Sequence, residues 1–323
     1  MTKPSGVNKT FDTSLVDIQR SFSSTETNTS GSSTKENVRP PPEGDPDLSS
    51  LRHGSPFTQV STQELYEQWA STYDTDGNIL QFVDSARMRA LFPGFWIATG
   101  KQFVGERLRL LDLGCGTGRT TVKLASAAWD LTVVTEVYGW DASQAMLDVA
   151  KGKCEAALEQ RRRYRGPMWP NPSLELVQMD LLRYESISER YTAFFDGIMS
   201  TLVLEHFPLP AFFTLVSRLL KSGAYALVTN MHPDMGRLSK AGFKDAITGE
   251  RVKGMSFIHG IPETIAAAED ANLELIGNVR ESELDKRTFE ISEASIDEKA
   301  RVAERATKWV GVKVWFGLML RKR

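Results

Sequence analysis

Residues 107–121 read RLRLLDLGCGTGRTT, an apolar run that ends in Asp112 and is followed by glycines at alternate positions, Gly114, Gly116 and Gly118. The run reads as a strand, and TTVKLASAAW beyond it as a helix. Glycines this dense between the two mark a turn whose backbone must bend, or approach a neighbour, in ways a Cβ forbids. The same alternation continues downstream. VYGWD (137–141) is a second strand and SQAMLDVAKGKCEAALEQ a second helix; LELVQMD (174–180) and AFFDGIMST (193–201) are a third and a fourth strand. Pro210 opens a helix with Phe212, Val216 and Leu219 at helical spacing, Gly223 is its expected end, and AYALVTN is a fifth strand. LELIGNVRESEL and VGVKVWFGLMLRK add two β segments on either side of the helical run DEKARVAERATKW. This order predicts an α/β fold, Rossmann-like, with a seven-stranded, mostly parallel sheet covered by helices on both faces. Ligands of such sheets lie beyond the carboxyl ends of the strands, where the glycine turn falls.

The stretch ahead of this pattern is different in kind. Residues 1–60 include SFSSTETNTSGSSTKENVRPPPEGDPDLSS, too poor in apolar side chains to offset chain entropy, and read as a disordered tail. Order is expected from Ser61, where STQE has capping-box spacing. ELYEQWASTYD then sets Leu65, Trp69 and Tyr73 on one helical face, and a second helix over SARMRALFPGFWIATGKQF is expected to break near Pro93-Gly94. The expected organisation is therefore N-terminal helices over 61–106, a core over 107–232, and cover segments with the last strands over 233–323. The formal charge of −2 gives no footprint for nucleic acid or an anionic membrane. No apolar stretch reaches the length of a membrane span, and two cysteines, Cys115 and Cys154, are too few for a disulfide framework. A cytoplasmic protein is the expectation. No zinc spacing or hard-cation cluster is visible, so no metal is expected, and RRRYR (161–165) reads as a solvated helix end.

Arg119 stands where a dinucleotide-binding turn has its third glycine, which turns the reading away from NAD. Asp112-Leu-Gly114-Cys-Gly116-Thr-Gly118 instead resembles motif I of the class I S-adenosylmethionine-dependent methyltransferases. GWDASQAML, with Asp141 ending the second strand, resembles that family's ribose-binding segment, and a carboxylate there suits a diol. QMDLL, with Asp180, is similar to its adenine-contacting strand end. STLVLEHF resembles the loop where cofactor and acceptor meet, and WASTYD the start of the branch that includes ubiquinone and menaquinone methyltransferases. TNMHPDM and FKDAITGE resemble a hairpin insertion of that branch.

The resemblance implies a site for S-adenosyl-L-methionine, with S-adenosyl-L-homocysteine as product. It would be built from Tyr73, Asp112, Gly114, Cys115, Gly116, Thr117, Asp141, Ala142, Met146, Asp180, Leu181 and Thr201. The acceptor is a small molecule, a quinone precursor or secondary metabolite, methylated on O, N or C. A proton-accepting group is needed only if that acceptor must lose a proton early. Of the four histidines, His53 lies in the tail and His259 in the insertion; His206 and His232 follow strand ends and are the candidates for catalysis. An acceptor pocket is expected among Trp69, Phe95, Trp96, Phe243, Met255, Phe257 and Trp309, under a lid made by the N-terminal helices and the insertion. A protein that binds the cofactor without methyl transfer is the competing reading, and the oligomeric state is open.

Overall fold

A computed structural model describes residues 57–102, 107–127, 134–165, 172–239, 242–244 and 251–323. The expected tail up to residue 56, with His53, lies outside them. Alternation of side chains across β2 (Arg107–Leu113) divides the interior in two. Leu108 and Leu110 pack on one face of the sheet with Met88, Phe95 and Leu124. Leu111 and Leu113 pack on the other with Phe212, Phe213 and Val216. The first set brings in the helices α2 (Ile79–Gln102) and α3 (Arg119–Ser126), and the second α5 (Leu209–Leu219).

The remaining strands extend the sheet from β2. On one side lie β3 (Val134–Asp141), followed by helix α4 (Gln144–Arg165), and then β4 (Ser173–Gln178). On the other lie β5 (Phe195–Thr201), buried along its whole length, and β6 (Leu220–Met231). All five run parallel. Beyond β6, β11 (Lys313–Lys322) is antiparallel and carries both β9 (Leu273–Leu275) and β10 (Arg280–Glu283) on its other side. The path β10-β11-β6-β5-β2-β3-β4 thus has the seven expected strands, and β9 makes an eighth. The segment 273–284 splits in two because Gly277 turns the chain with φ +75°.

Three local expectations need correction. Helix α2 runs unbroken through Pro93, because Pro93 and Gly94 face solvent while Val83, Met88 and Phe95 are buried against the sheet. Water can satisfy the carbonyl that proline frees, and packing on both sides of it holds the helix together. Gly223 does not end α5, which stops at Leu219. It lies inside β6 with φ +81°, where the register against β5 shifts, so its freedom serves a bulge. Order also starts before Ser61. Strand β1 (Phe57–Gln59) pairs in parallel with β8 (Arg251–Lys253), and β8 pairs antiparallel with β7 (Gly242–Lys244).

Between β1 and the sheet lies α1 (Thr62–Trp69), whose N-terminus is capped by Ser61 Oγ accepting from Glu64 N–H at 3.2 Å. The chain after β6 forms α6 (Pro233–Leu238), that after β8 forms α7 (Ile261–Asp270), and α8 (Lys286–Ile291) and α9 (Ile296–Ala306) precede β11. Helix α9 and Trp309 close a third cluster with Phe82, Val83 and Trp315. No described helix is long and apolar enough to cross a membrane.

Candidate functional site

The carboxyl ends of β2, β3 and β5 border a cleft of about 220 Å³. Its floor is the glycine turn. Gly114, Gly116 and Gly118 have φ of +73°, +52° and +80°, a left-handed run that side chains resist. Their surroundings give the three glycines separate tasks. A Cβ on Gly114 would lie 2.4 Å from Val203 Cγ2, and one on Gly118 2.9 Å from Ala150 Cβ, so the first seats the turn under the loop after β5 and the second packs α3 on α4. A Cβ on Gly116 would meet nothing within 4 Å. Gly116 lines the cleft, and the space a side chain would take there is open.

Asp141 ties this turn to the next strand. Its Oδ2 accepts from Gly116 N–H at 2.7 Å and its Oδ1 from Ser143 N–H at 2.9 Å. Burial raises its carboxyl above the ordinary range, and the two N–H donors oppose that rise. Cys115, Thr117, Ala142, Met146, Asp180 and Leu181 all line the same cleft, as do Gly114, Tyr73 and Thr201. Asp180 is half exposed and accepts from Leu182 N–H at 3.1 Å. Asp112 is the exception on the cofactor side. It is fully buried beneath the turn, where Thr121 donates to its Oδ2 at 2.6 Å, and it does not line the cleft. Burial pushes its carboxyl up to about 7.

Arg119, first noticed as a missing glycine, lines the cleft as well. Its guanidinium pairs with the buried Asp84 carboxylate at 2.5 Å. Asp84 also accepts from Thr229 at 2.6 Å and from Trp315 Nε1 at 2.8 Å, so this cation is held from α2, β6 and β11 together.

The N-terminal segment closes the cleft from above through acidic side chains. Glu67 accepts from Gln144 N–H at 2.7 Å and Ala145 N–H at 3.0 Å, capping α4 from outside it. Asp74 accepts from Thr117 Oγ1 at 2.7 Å and pairs with Lys153. Asp76 accepts from Trp69 Nε1 at 2.9 Å. None of these carries a sequence signature, because each partner is tens of residues distant or set by the bend after α1.

The two candidate histidines separate clearly. His206 lines the cleft, with Nδ1 3.2 Å from the Met255 carbonyl and Nε2 2.9 Å from the Tyr66 hydroxyl. A carbonyl only accepts, so Nδ1 carries the proton and Nε2 receives Tyr66 O–H. Burial lowers this imidazole to about 4, which keeps it neutral. His232 lies away from the cleft. Its Nδ1 accepts from Asp234 N–H at 3.1 Å, capping α6, and its Nε2 is 2.9 Å from Glu281 Oε1 on β10. The strand that carries it pairs with β11, so His232 faces the outer strands and has a structural task. His259 likewise bonds main-chain carbonyls of Leu204 and Phe207.

Of the residues expected around an acceptor, Phe95 and Trp309 are core, Met255 and Phe257 are surface-exposed, and the Phe243 side chain lies outside the described residues. Trp96 packs part-buried against the cluster beneath α2. Trp69 lines a cavity set behind the cleft.

Residues 111–228 match a methyltransferase domain family, a span that begins within β2 and ends within β6. A methyltransferase of Emericella nidulans is 40% identical over 283 residues, covering 82% of this chain and 92% of its own. The chain belongs to the methyltransferase family. Among solved structures, the chain is similar to a Haemonchus contortus phosphoethanolamine N-methyltransferase at TM-score 0.49 and 17% identity, over 81% of this chain and 60% of that one. It is also similar to a Streptomyces coelicolor geranyl diphosphate C-methyltransferase at TM-score 0.46 and 16% identity, over 73% and 77%.

The cofactor of this methyltransferase is S-adenosyl-L-methionine, and the residues present fit it. The open volume over Gly116, the cation of Arg119 and the carboxylates of Asp141 and Asp180 suit an amino-acid tail, a diol and an adenine within one cleft. Among the described residues no group of acidic, histidine or cysteine side chains is placed to hold a metal ion.

Proposed function

We propose that the protein methylates a small organic acceptor, a quinone precursor or secondary metabolite, on O, N or C. Buried thiols at Cys115 and Cys154, neither in a disulfide, accord with work in the cytoplasm. The open space over Gly116, beside two glycines that are packed shut, is the observation that supports this reading most. When bound, S-adenosyl-L-methionine supplies an electrophilic methyl on its sulfonium and leaves as S-adenosyl-L-homocysteine. In this reading Gly114, Cys115, Gly116 and Thr117 receive the methionine end, with Arg119 available to its carboxylate. Asp141 receives the ribose hydroxyls, and Met146, Asp180 and Leu181 border the adenine. Asp112 acts from beneath, holding the turn through Thr121.

On the acceptor side, Tyr66, Tyr73 and His206 exclude water and orient the nucleophile, which is where most of the rate advantage of such a displacement arises. His206 Nε2 is occupied by the Tyr66 O–H and its ring is lowered to about 4, so it is a weak proton acceptor, and its part is to position that hydroxyl beside an acceptor that needs no early deprotonation. The test is incubation of the protein with cell extract and a methyl-labelled cofactor. A labelled small-molecule product is expected; cofactor binding with no labelled product in any extract would favour a binding role.

A further inference from the structure

Behind the cleft lies a second, much smaller cavity of about 30 Å³, room for an end group rather than a whole ring, lined by Tyr66, Trp69, Tyr73, Leu202, Glu205 and Met235 among others. Tyr66, Tyr73 and Leu202 line the cleft too, so the two spaces share a wall. Glu205 is the one acidic group among the described residues of the inner wall. Its side chain is 6% exposed, and its Oε2 has no hydrogen-bond partner, although buried carboxylates are normally satisfied. Its Oε1 lies 3.6 Å from His206 Nε2.

The main chain around Glu205 is pinned on both sides. Its N–H donates to Asn230 Oδ1 at 3.1 Å, and its carbonyl accepts from Phe257 N–H at 2.6 Å. Three residues earlier, Leu202 holds φ at +61°, a conformation costly for a branched side chain and typical of places where function sets the backbone. The loop after β5 is therefore bent so that Leu202 forms the partition and Glu205 faces the chamber behind it.

We infer that this chamber is the acceptor subsite and that Glu205 Oε2 receives a hydrogen bond from an O–H or N–H of the acceptor's end group. The inference rests on the methyltransferase reading of the neighbouring cleft. The rest of the wall is aromatic, aliphatic and thioether, with Asn78 and Ser239 as its other polar members and no basic side chain among the described lining residues. An uncharged or cationic end group fits, with the body of the acceptor on the cleft side of the shared wall; a carboxylate or phosphate would be buried there with no cation among the described lining residues. Burial raises the Glu205 carboxyl to about 8, and an O–H or N–H donor from a bound acceptor would favour its ionised form.

The experiment titrates 4-methylphenol, benzylamine and benzoate into the full chain, with and without S-adenosyl-L-homocysteine, followed by calorimetry. For the unsubstituted protein, 4-methylphenol or benzylamine is expected to bind at least roughly ten-fold more tightly than benzoate, the scale of one buried hydrogen bond. Which of the two binds better tells a hydroxyl end group from an ammonium one. Glu205→Gln should keep the phenol and weaken benzylamine, and Glu205→Leu should weaken both by roughly ten-fold. Benzoate binding as tightly as the donors, no donor binding, or a Leu variant of unchanged affinity overturns the proposal. The ranking in the unsubstituted protein decides even if the Leu variant fails to fold. Failure to bind S-adenosyl-L-homocysteine would instead overturn the methyltransferase reading, and the probe ranking without cofactor would still decide the chamber.

Discussion

The two halves of the proposed site are built by opposite means. The donor half is made of backbone: a left-handed glycine turn, three strand ends and two helix starts, all within residues 112–201. The acceptor half is made of side chains that meet from α1, the bend after it, the loop after β5, α6 and the segment around Met255. Backbone conformation leaves a local imprint, because only glycine accepts φ near +70° beside a close neighbour. A pocket wall assembled across well over a hundred residues leaves none. Its members need only the right size and polarity, and the chain between them is free to vary.

That contrast is open to attack by substitution. The largest effect is expected at Gly114, where alanine must displace Val203 and hold φ +73°; overpacking alone costs about 1–3 kcal/mol. Gly114→Ala should lower the melting temperature and abolish measurable cofactor binding together. Gly116→Ala should separate the two properties. With no atom within 4 Å, the change costs only the backbone term of about 1–2 kcal/mol, while cofactor affinity drops sharply because the new methyl enters the cleft. Equal losses in both variants would dissolve the distinction between packed and open glycines.

On the acceptor side, Tyr66→Phe removes the hydroxyl from His206 Nε2 and should cost about 1 kcal/mol of stability while leaving S-adenosyl-L-homocysteine affinity unchanged. NMR titration of the same imidazole should find it neutral until pH falls to about 4. A midpoint near 6.5 would mean the ring is solvated and the wall is open.

A smaller effect tests the support beneath the turn. Asp112 is raised from 3.8 to about 7, so the folded chain keeps a proton that the unfolded chain releases within that window. Its contribution to stability is therefore present below pH 3.8 and lost as pH rises through 7. Asp112→Asn, which cannot ionise, should gain melting temperature relative to the unsubstituted protein across that rise; a difference independent of pH would contradict the burial argument.

The donor half was largely legible before any coordinates. The order of strands, the turn, and Asp141 and Asp180 at successive strand ends followed from periodicity and from one family resemblance. Asp112 is ambiguous in sequence, since a strand-end aspartate next to a glycine turn reads the same whether it faces ligand or supports the turn from the helix behind, where it lies. His232 misled for a related reason: position after β6 is visible in sequence, but the partner strand that turns it toward Glu281 is not. Glu205 sat unread beside His206 in LEHF, because a carboxylate's burial is decided by the helices that cover it. Pro93 shows packing overriding a local rule, as α2 continues through it.

The central claim is that the glycine turn and Asp141 form the donor site, and calorimetry with S-adenosyl-L-homocysteine tests it directly. The unsubstituted protein should bind one equivalent. Asp141→Ala should weaken binding by at least roughly ten-fold, the loss expected when charge-assisted hydrogen bonds disappear, while His232→Ala leaves it unchanged. Unchanged affinity in Asp141→Ala would contradict the account.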